Sequence, residues 1–306
     1  MDSLPILSII IPTVGRGEIL LNTLEAVFKA IELLPIEVIL VDDSKNGLDL
    51  KIPYPAKLLR SGGKGASFAR NRGWREARSK LLLFMDDDIL IEKKNIERTL
   101  RLHESDSYKA YNFFWVYPDF LMKQLPNSKF GKYILEHELY SNSHRLTYNI
   151  DERTDLFEEK GLTSQYFSIE KRWMEAVNGY DAIPYAGIED LLLYKKLQAA
   201  GVSVYLSRRD VIYQDESNRL SIESLVNRYR TGALTRRVAV EMGHRALGLN
   251  FSSTKRLLGS FHTVLGPLAS SLSAILPYGY VYRKSVNAQL FFASYKGFYE
   301  DSLPRK

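Results

Sequence analysis

Three acids in succession, Asp86-Asp87-Asp88, follow the apolar run from Leu81 to Met85. Carboxylates at the end of a buried segment are costly unless a cation or hydrogen-bond donors compensate them. On an extended backbone Asp86 and Asp88 project to the same side. A hard divalent ion such as Mg2+ or Mn2+, bridging to diphosphate oxygens, would relieve their repulsion there. A solvated turn leading into a helix would use the same residues without chemistry. A second pair, Asp42-Asp43, closes the apolar run from Ile36 to Val41 and precedes Ser44. Either carboxylate suits a base imide or a ribose hydroxyl, and either also suits an Asx turn leaving a strand. The third pair is Glu189-Asp190, after Gly187-Ile188, where a helical pattern opens. The helix dipole favours anions at that end, and an ionised carboxylate could take a proton from an attacking hydroxyl. An N-cap beside a first-turn acid is the structural alternative.

Between the second and first of these groups lies Ser61-Gly62-Gly63-Lys64-Gly65, with Arg70 and Arg72 close behind. Glycines that expose amides beside positive charge suit a phosphate or nucleotide, and a surface turn before a basic helix fits equally well. The spacing matches neither a Walker loop nor the G-x-G-x-x-G fingerprint. Absence of cysteine excludes disulfides and thiolate metal sites, so any metal must be held by oxygen or histidine. The five histidines, His103, His137, His144, His244 and His262, show no metal-ligand spacing.

The elements that must position these acids follow from periodicity. Leu7 to Pro12, Ile36 to Val41 and Leu81 to Met85 read as buried strands, with a short strand at Leu58 to Arg60. Leu20, Leu24, Val27, Phe28, Ile31 and Leu34 recur at helical spacing up to Pro35. Ala66, Ala69, Gly73 and Ala77 form a stripe of small residues that lets a second helix approach the sheet. Such βαβ alternation predicts an α/β fold with a mainly parallel sheet flanked by helices, whose carboxyl edge is where ligands bind. Tyr108 to Trp115 reads as a strand, Glu189 to Ala200 as a helix closed by Gly201, and Val202 to Leu206 as a strand. The aromatics between Tyr108 and Tyr140 are expected mainly to pack the core.

From about residue 221 the chain reads as wholly helical and basic, with Arg228, Arg230, Arg236, Arg237, Arg245, Lys255 and Arg256. Leu257 to Tyr282 then lacks any charged residue. Pro267, Pro277 and several glycines and serines interrupt it, which favours an interfacial hairpin over a membrane crossing. Together with a formal charge of +6 and a pI of about 9.2, this region points to an anionic membrane surface rather than to nucleic acid. The N-terminal apolar run lacks a basic lead and a small-residue cleavage site, so it reads as a strand and not as a signal peptide. The expected location is the cytoplasmic face of a membrane.

The order of the motifs resembles the inverting family 2 glycosyltransferases, which have the GT-A nucleotide-sugar fold. The resemblance runs over about residues 6–215. It rests on Ile9-Ile10-Ile11-Pro12-Thr13 with Arg16, Val41-Asp42-Asp43-Ser44, Gly65-Ala66-Ser67-Phe68-Ala69-Arg70-Asn71-Arg72-Gly73, Met85-Asp86-Asp87-Asp88, Val177-Asn178-Gly179-Tyr180-Asp181 and Gly187-Ile188-Glu189-Asp190. It implies a GT-A domain at 1–220, with a nucleotide half at about 1–100 and an acceptor half at about 101–220, followed by a helical region at 221–306. It implies nucleotide binding by Thr13, Arg16, Asp42, Asp43, Arg70 and Asp86, and Mg2+ or Mn2+ at Asp86 and Asp88. Gly187, Glu189, Tyr180 and Asp181 would lie on the acceptor side, with Asp190 as general base. The implied partners are a nucleoside-diphosphate sugar donor and a saccharide or polyprenyl-linked acceptor. Two departures stand out. Gln214, within Val211 to Asp215, occupies a place where many relatives carry a metal-binding histidine, and Thr13-Val14-Gly15-Arg16 lacks the aromatic and asparagine often found there. The rival readings are a sugar-phosphate nucleotidyltransferase, separable by pyrophosphate release, and a non-catalytic nucleotide- or membrane-binding protein.

Overall fold

The structure is a computed structural model that describes residues 4–105, 108–142, 155–183 and 187–300; His144 lies outside them. Along the chain the elements are β1 (Leu7–Thr13), α1 (Glu18–Ala30), β2 (Ile36–Asp42), β3 (Lys57–Arg60), α2 (Ala66–Glu76), β4 (Leu81–Met85), β5 (Ile89–Leu90), α3 (Lys93–Ser105), β6 (Lys109–Val116), α4 (Asp119–Gln124), α5 (Lys129–Glu136), β7 (Leu156–Glu158), β8 (Tyr166–Glu170), α6 (Lys171–Ala176), α7 (Glu189–Ala199), β9 (Ser203–Gln214), α8 (Ile222–Glu241), α9 (Ser253–Ser260), α10 (His262–Ile275) and α11 (Tyr280–Tyr299).

β1, β2 and β4 are the apolar runs read from the sequence, and buried residues fill nearly all their positions. Strands covered on both faces need such unbroken runs. α1 stops a turn earlier than its apolar spacing suggested. Leu34 N–H donates to the Ile31 carbonyl at 2.9 Å and Leu33 takes φ +63°, a turn that delivers the chain to β2 at Ile36. α2 lies against the sheet because of its small residues. A Cβ on Gly73 would come within 2.4 Å of Ile10 Cγ2.

Strand order is β3-β2-β1-β4-β8-β6-β9-β5, with β7 also on β9. The first four strands are parallel, with Thr13 beside Asp42 and Asp42 beside Arg60. Their carboxyl ends therefore share one edge. Beyond β4 the sheet is mixed: β8 runs antiparallel to both β4 and β6, β6 and β9 are parallel, and β5 and β7 pair antiparallel with β9. The antiparallel insertion of β8 has a positional consequence. Tyr166 pairs with Met85, so Ser164-Gln165 arrive at the same edge as Asp86. β9 runs on well past the expected Leu206, as far as Gln214, which pairs with Ile89.

The chain forms two compact units. The first comprises the residues up to Pro118, 141–183 and Glu189–Asp215. The second comprises Asp119–Tyr140, Gly187–Ile188 and the residues from Glu216 onward. Within the second, α8 and α11 approach closely because a Cβ on Gly297 would lie 2.1 Å from the Arg230 carbonyl oxygen. α10 docks on α11 through Gln289 Nε2, which donates to Ser273 Oγ at 2.9 Å. Lys129 Nζ closes the end of α10 by donating to the carbonyls of Ser273, Ala274 and Leu276.

Candidate active site

Asp86-Asp87-Asp88 do not continue the extended path of β4. They leave it in a turn in which Ile89 N–H reaches the Asp86 carbonyl at 3.4 Å. Alternation therefore no longer sets their directions, and the acids diverge. Asp86 accepts from Arg70 at 2.8 Å, whereas Asp88 pairs with Arg16. Asp87, to which the sequence assigned no role, is buried, accepts from Thr13 Oγ1 at 2.6 Å and forms an ion pair with Arg16 Nε at 3.1 Å. Burial works against the Arg16 charge, but Asp88 and Asp87 outweigh it and raise its pKa. Burial likewise raises the pKa of Asp87. Arg16 and Arg70 thus offset part of the repulsion among the three acids.

Arg70 is the junction of the site. It is buried on α2, and its two terminal nitrogens reach Asp86 and, at 3.3 Å, Glu189 on the first turn of α7. Its guanidinium also stands 5.7 Å from the Tyr180 ring centre. Burial opposes the charge, and Asp86 followed by Asp190 more than restores it, leaving the pKa raised. Residues about a hundred positions apart in sequence are drawn together by this one side chain.

Asp190 is half-buried. Its carboxylate accepts from Ser164 N–H at 2.9 Å and from the Ser164 hydroxyl. Ser164 Oγ in turn lies 2.7 Å from the Tyr180 hydroxyl. Burial pushes the Asp190 pKa up to about 6; Arg70 pulls it down, Glu189 pushes it up, and the Ser164 bonds favour the ionised form. Ser164 carried no signal in the sequence, because only the insertion of β8 beside β4 brings it to the edge. Gln165 arrives the same way. Its carbonyl accepts from Asp86 N–H at 3.2 Å, and its Nε2 donates to Gln214 Oε1 at 3.0 Å. Asp215 N–H donates to the Asp88 carbonyl at 2.7 Å, so Gln214-Asp215 adjoin the acidic turn.

The remaining residues expected at the site divide. Thr13 supports the turn from below through Asp87 and accepts from Gly15 N–H at 3.1 Å. Asp42 forms the Asx turn: its carboxylate accepts from Ser44 N–H at 2.8 Å and Leu48 N–H at 3.0 Å. Asp43 organises the glycine-rich turn, accepting from Ser61 Oγ at 2.6 Å, Lys64 N–H at 2.9 Å and Gly65 N–H at 2.8 Å. A carboxylate has roughly four lone-pair sites, so both keep capacity toward a ligand. Tyr180 is fixed by Asn71, which accepts from its N–H at 2.9 Å and donates to its carbonyl at 2.8 Å. Asp181 is not part of the acidic cluster. It pairs with Lys196 at 2.9 Å and lines a groove of about 580 Å³ with Arg60, Lys64, Arg72 and Arg75. Gly187 belongs to the second unit and takes φ +134°, a conformation that disfavours a side chain.

The donor set suits a hard divalent cation. Among the described residues no group of three His, Cys, Asp or Glu side chains converges on one point. Asp86 and Asp88 supply two carboxylates, and a cation of the Mg2+ type is bound through one or two carboxylates together with substrate phosphates and water.

The parallel part of the sheet thus carries these acids at its carboxyl edge, where α/β sheets bind ligands, with Asp190 across Arg70 from Asp86. The family model described as "Glycosyl transferase family 2" matches residues 8–155. Among solved structures, the mannosyltransferase PcManGT from Pyrobaculum calidifontis, in complex with GDP-Man and Mn2+, superposes with a TM-score of 0.58 at 14% identity. That likeness covers 98% of this chain and 89% of the other. No curated protein matches the sequence. Residues 8–155 thus match the family 2 glycosyltransferases, and the chain has the GT-A fold. The family match supports a glycosyltransferase.

Proposed function

We propose that the protein moves one sugar from a nucleoside diphosphate to a hydroxyl of a saccharide or polyprenyl-linked acceptor, inverting the anomeric carbon. The observation that carries this reading is the double reach of Arg70. It ties the acidic turn to the first turn of α7, where Asp190 sits. Asp42 and Asp43 face the nucleoside from the end of β2, and Arg16 and Arg70 face the diphosphate.

In this scheme Asp190 takes the proton from the acceptor hydroxyl. The acceptor oxygen bonds to the anomeric carbon as the bond from that carbon to the phosphate oxygen breaks, and nucleoside diphosphate leaves on the opposite face. A base whose pKa is about 6 is largely ionised at neutral pH and still basic enough to help. Mg2+ or Mn2+, held by Asp86 and Asp88, would neutralise charge developing on the departing diphosphate. Arg16 and Arg70 hold the two acids in place until donor arrives.

The experiment is a panel of nucleotide sugars, beginning with GDP-mannose because the structural neighbour binds it. Each is assayed with Mn2+ or Mg2+ for nucleoside diphosphate release and for product configuration by NMR. Inverted product is expected. Retained configuration, or release of pyrophosphate, overturns the proposal.

A further inference from the structure

Between Glu241 and Glu300 the sequence contains no acidic residue, yet it carries Arg245, Lys255, Arg256, Arg283, Lys284 and Lys296. α9 and α10 lie within this stretch, and α10 has no Asp, Glu, Lys or Arg, its one titratable side chain being His262 at 3.0 Å from Glu300. Along the two helices Leu257, Phe261, Val264, Leu268 and Ile275 follow one another at steps of four, three, four and seven residues. Such steps return to one helix face.

That face looks outward. All five residues are exposed, from 53% at Phe261 to 77% at Ile275. The opposite face is the one that packs: Ser273 bonds Gln289, and a Cβ on Gly259 would lie 2.2 Å from the Tyr295 ring. Exposed Leu258, Tyr280 and Val281 widen the apolar surface. Cations flank both ends, with Lys255 and Arg256 exposed on α9 and Lys284 Nζ 5.3 Å from the Tyr280 ring centre. Contiguous apolar surface of this kind marks a binding face.

Charge selects the occupant. A symmetric contact with a second copy would set this surface against itself, bringing Lys255, Arg256 and Lys284 together while Glu300 is already engaged by His262 and Glu136 by Arg283. An anionic lipid surface answers both features, since acyl chains take the apolar stripe and headgroup phosphates take the cations. Fourteen residues of α10 extend about 21 Å, short of the roughly 30 Å hydrocarbon layer. Among the described residues no helix is long and apolar enough to cross a membrane.

We propose that α9 and α10 lie flat in the interfacial layer of an anionic bilayer, with Leu257, Phe261, Val264, Leu268 and Ile275 immersed and Lys255, Arg256 and Lys284 against the headgroups. The proposal does not depend on the transferase chemistry. Its test is flotation of the full chain with vesicles of phosphatidylcholine alone or with about 30% phosphatidylglycerol. Wild type floats with the anionic vesicles and releases at roughly 0.5 M salt. Val264→Glu with Leu268→Glu weakens binding by about tenfold or more, at unchanged melting temperature. Val264→Gln with Leu268→Gln weakens it too, without adding charge. Absence of wild-type flotation, or equal flotation by both double variants, overturns the proposal. So does a dimer in sedimentation velocity that the double variants dissolve, because the stripe would then be covered by a second copy.

Discussion

Ser164 gives both its backbone N–H and its hydroxyl to the carboxylate of Asp190. Two donors on one half-buried carboxylate fix its orientation and favour its ionised form. Burial alone drives the pKa upward, so Ser164 acts with Arg70 to hold it near 6. The seryl hydroxyl is itself placed by Tyr180, and Tyr180 by Asn71 of α2. A chain of hydrogen bonds thus runs from the helix that carries Arg70 to the proposed base.

The first prediction follows from that pairing. Catalysis by Asp190 requires its ionised form, so kcat/KM falls as pH drops through about 6. Ser164→Ala removes a bond to the charged form and raises the pKa, which moves the acid limb of the profile to higher pH. At neutral pH the rate drops by about tenfold, in line with loss of a charge-assisted hydrogen bond. An unmoved acid limb in the variant would show that Ser164 has no hold on the base.

Removing the base itself separates chemistry from binding. Asp190→Asn is expected to lower kcat by about 10²- to 10⁴-fold. Donor affinity measured by calorimetry should stay within about threefold, because Arg16, Asp42 and Asp43 are untouched. Near-normal transfer by this variant would remove Asp190 from the mechanism and favour a non-catalytic role for the acid pair.

Arg70 is expected to matter for both folding and chemistry. Arg70→Met leaves buried Glu189 and partly buried Asp86 without their common cation. Stranding buried charge costs about 3–5 kcal/mol, read as a lower melting temperature. Loss of the Arg70 attraction also raises the Asp190 pKa, so the residual activity should require higher pH. A variant with unchanged stability and pH profile would contradict the junction role.

How far the sequence carried this description depends on the range of each interaction. β1, β2 and β4 were legible because burial on both faces imposes unbroken apolar runs, and α2 because Gly73 must meet Ile10. The acids of all three clusters were legible as residue types at strand and helix ends. The direction of Asp86 relative to Asp88 was not, since it depends on a turn whose partners, Arg16 and Arg70, come from two different helix-bearing segments. Ser164 and Gln165 were invisible for a topological reason. Strand pairing with β4 places them, and pairing partners leave no local periodicity. Asp181 was placed on the acceptor side by the resemblance of Gly179-Tyr180-Asp181 to the family's motif; its pairing with Lys196, in a groove shared with Arg72 and Arg75, is a long-range contact that left no local signal.

A glycine supplies a stability test of the same network. Gly179 takes φ +64°, and a Cβ there would lie 2.3 Å from Asn71 Oδ1 and 2.6 Å from Trp74 Nε1. Asn71 accepts from both Trp74 and the Tyr180 N–H, so it cannot retreat without breaking them. Gly179→Ala should cost about 2–4 kcal/mol from backbone strain and overpacking, with a melting temperature lower by about 4–8 °C. Gly161, with open space around its Cβ position, provides the control: Gly161→Ala should melt like wild type. Equal melting of all three proteins would mean that the Asn71 clamp yields freely.

The acidic turn makes a separable prediction about metal. In the free protein Arg16 pairs with Asp88, and Arg70 with Asp86, so these cations already offset part of the charge of the turn. A diphosphate brings new negative charge to this edge and changes that balance, which is why metal and nucleotide should bind as a pair. After chelation, Mn2+ alone should leave the melting temperature nearly unchanged, and nucleoside diphosphate alone should raise it modestly. Both together should raise it by more than the sum. Ligand at about a hundredfold above Kd contributes about 2.7 kcal/mol. In Asp88→Asn the nucleotide increment should persist while the extra Mn2+ increment disappears. Survival of that increment would move the ion away from Asp88, and a large effect of Mn2+ alone would mean that the turn binds the ion before any donor arrives.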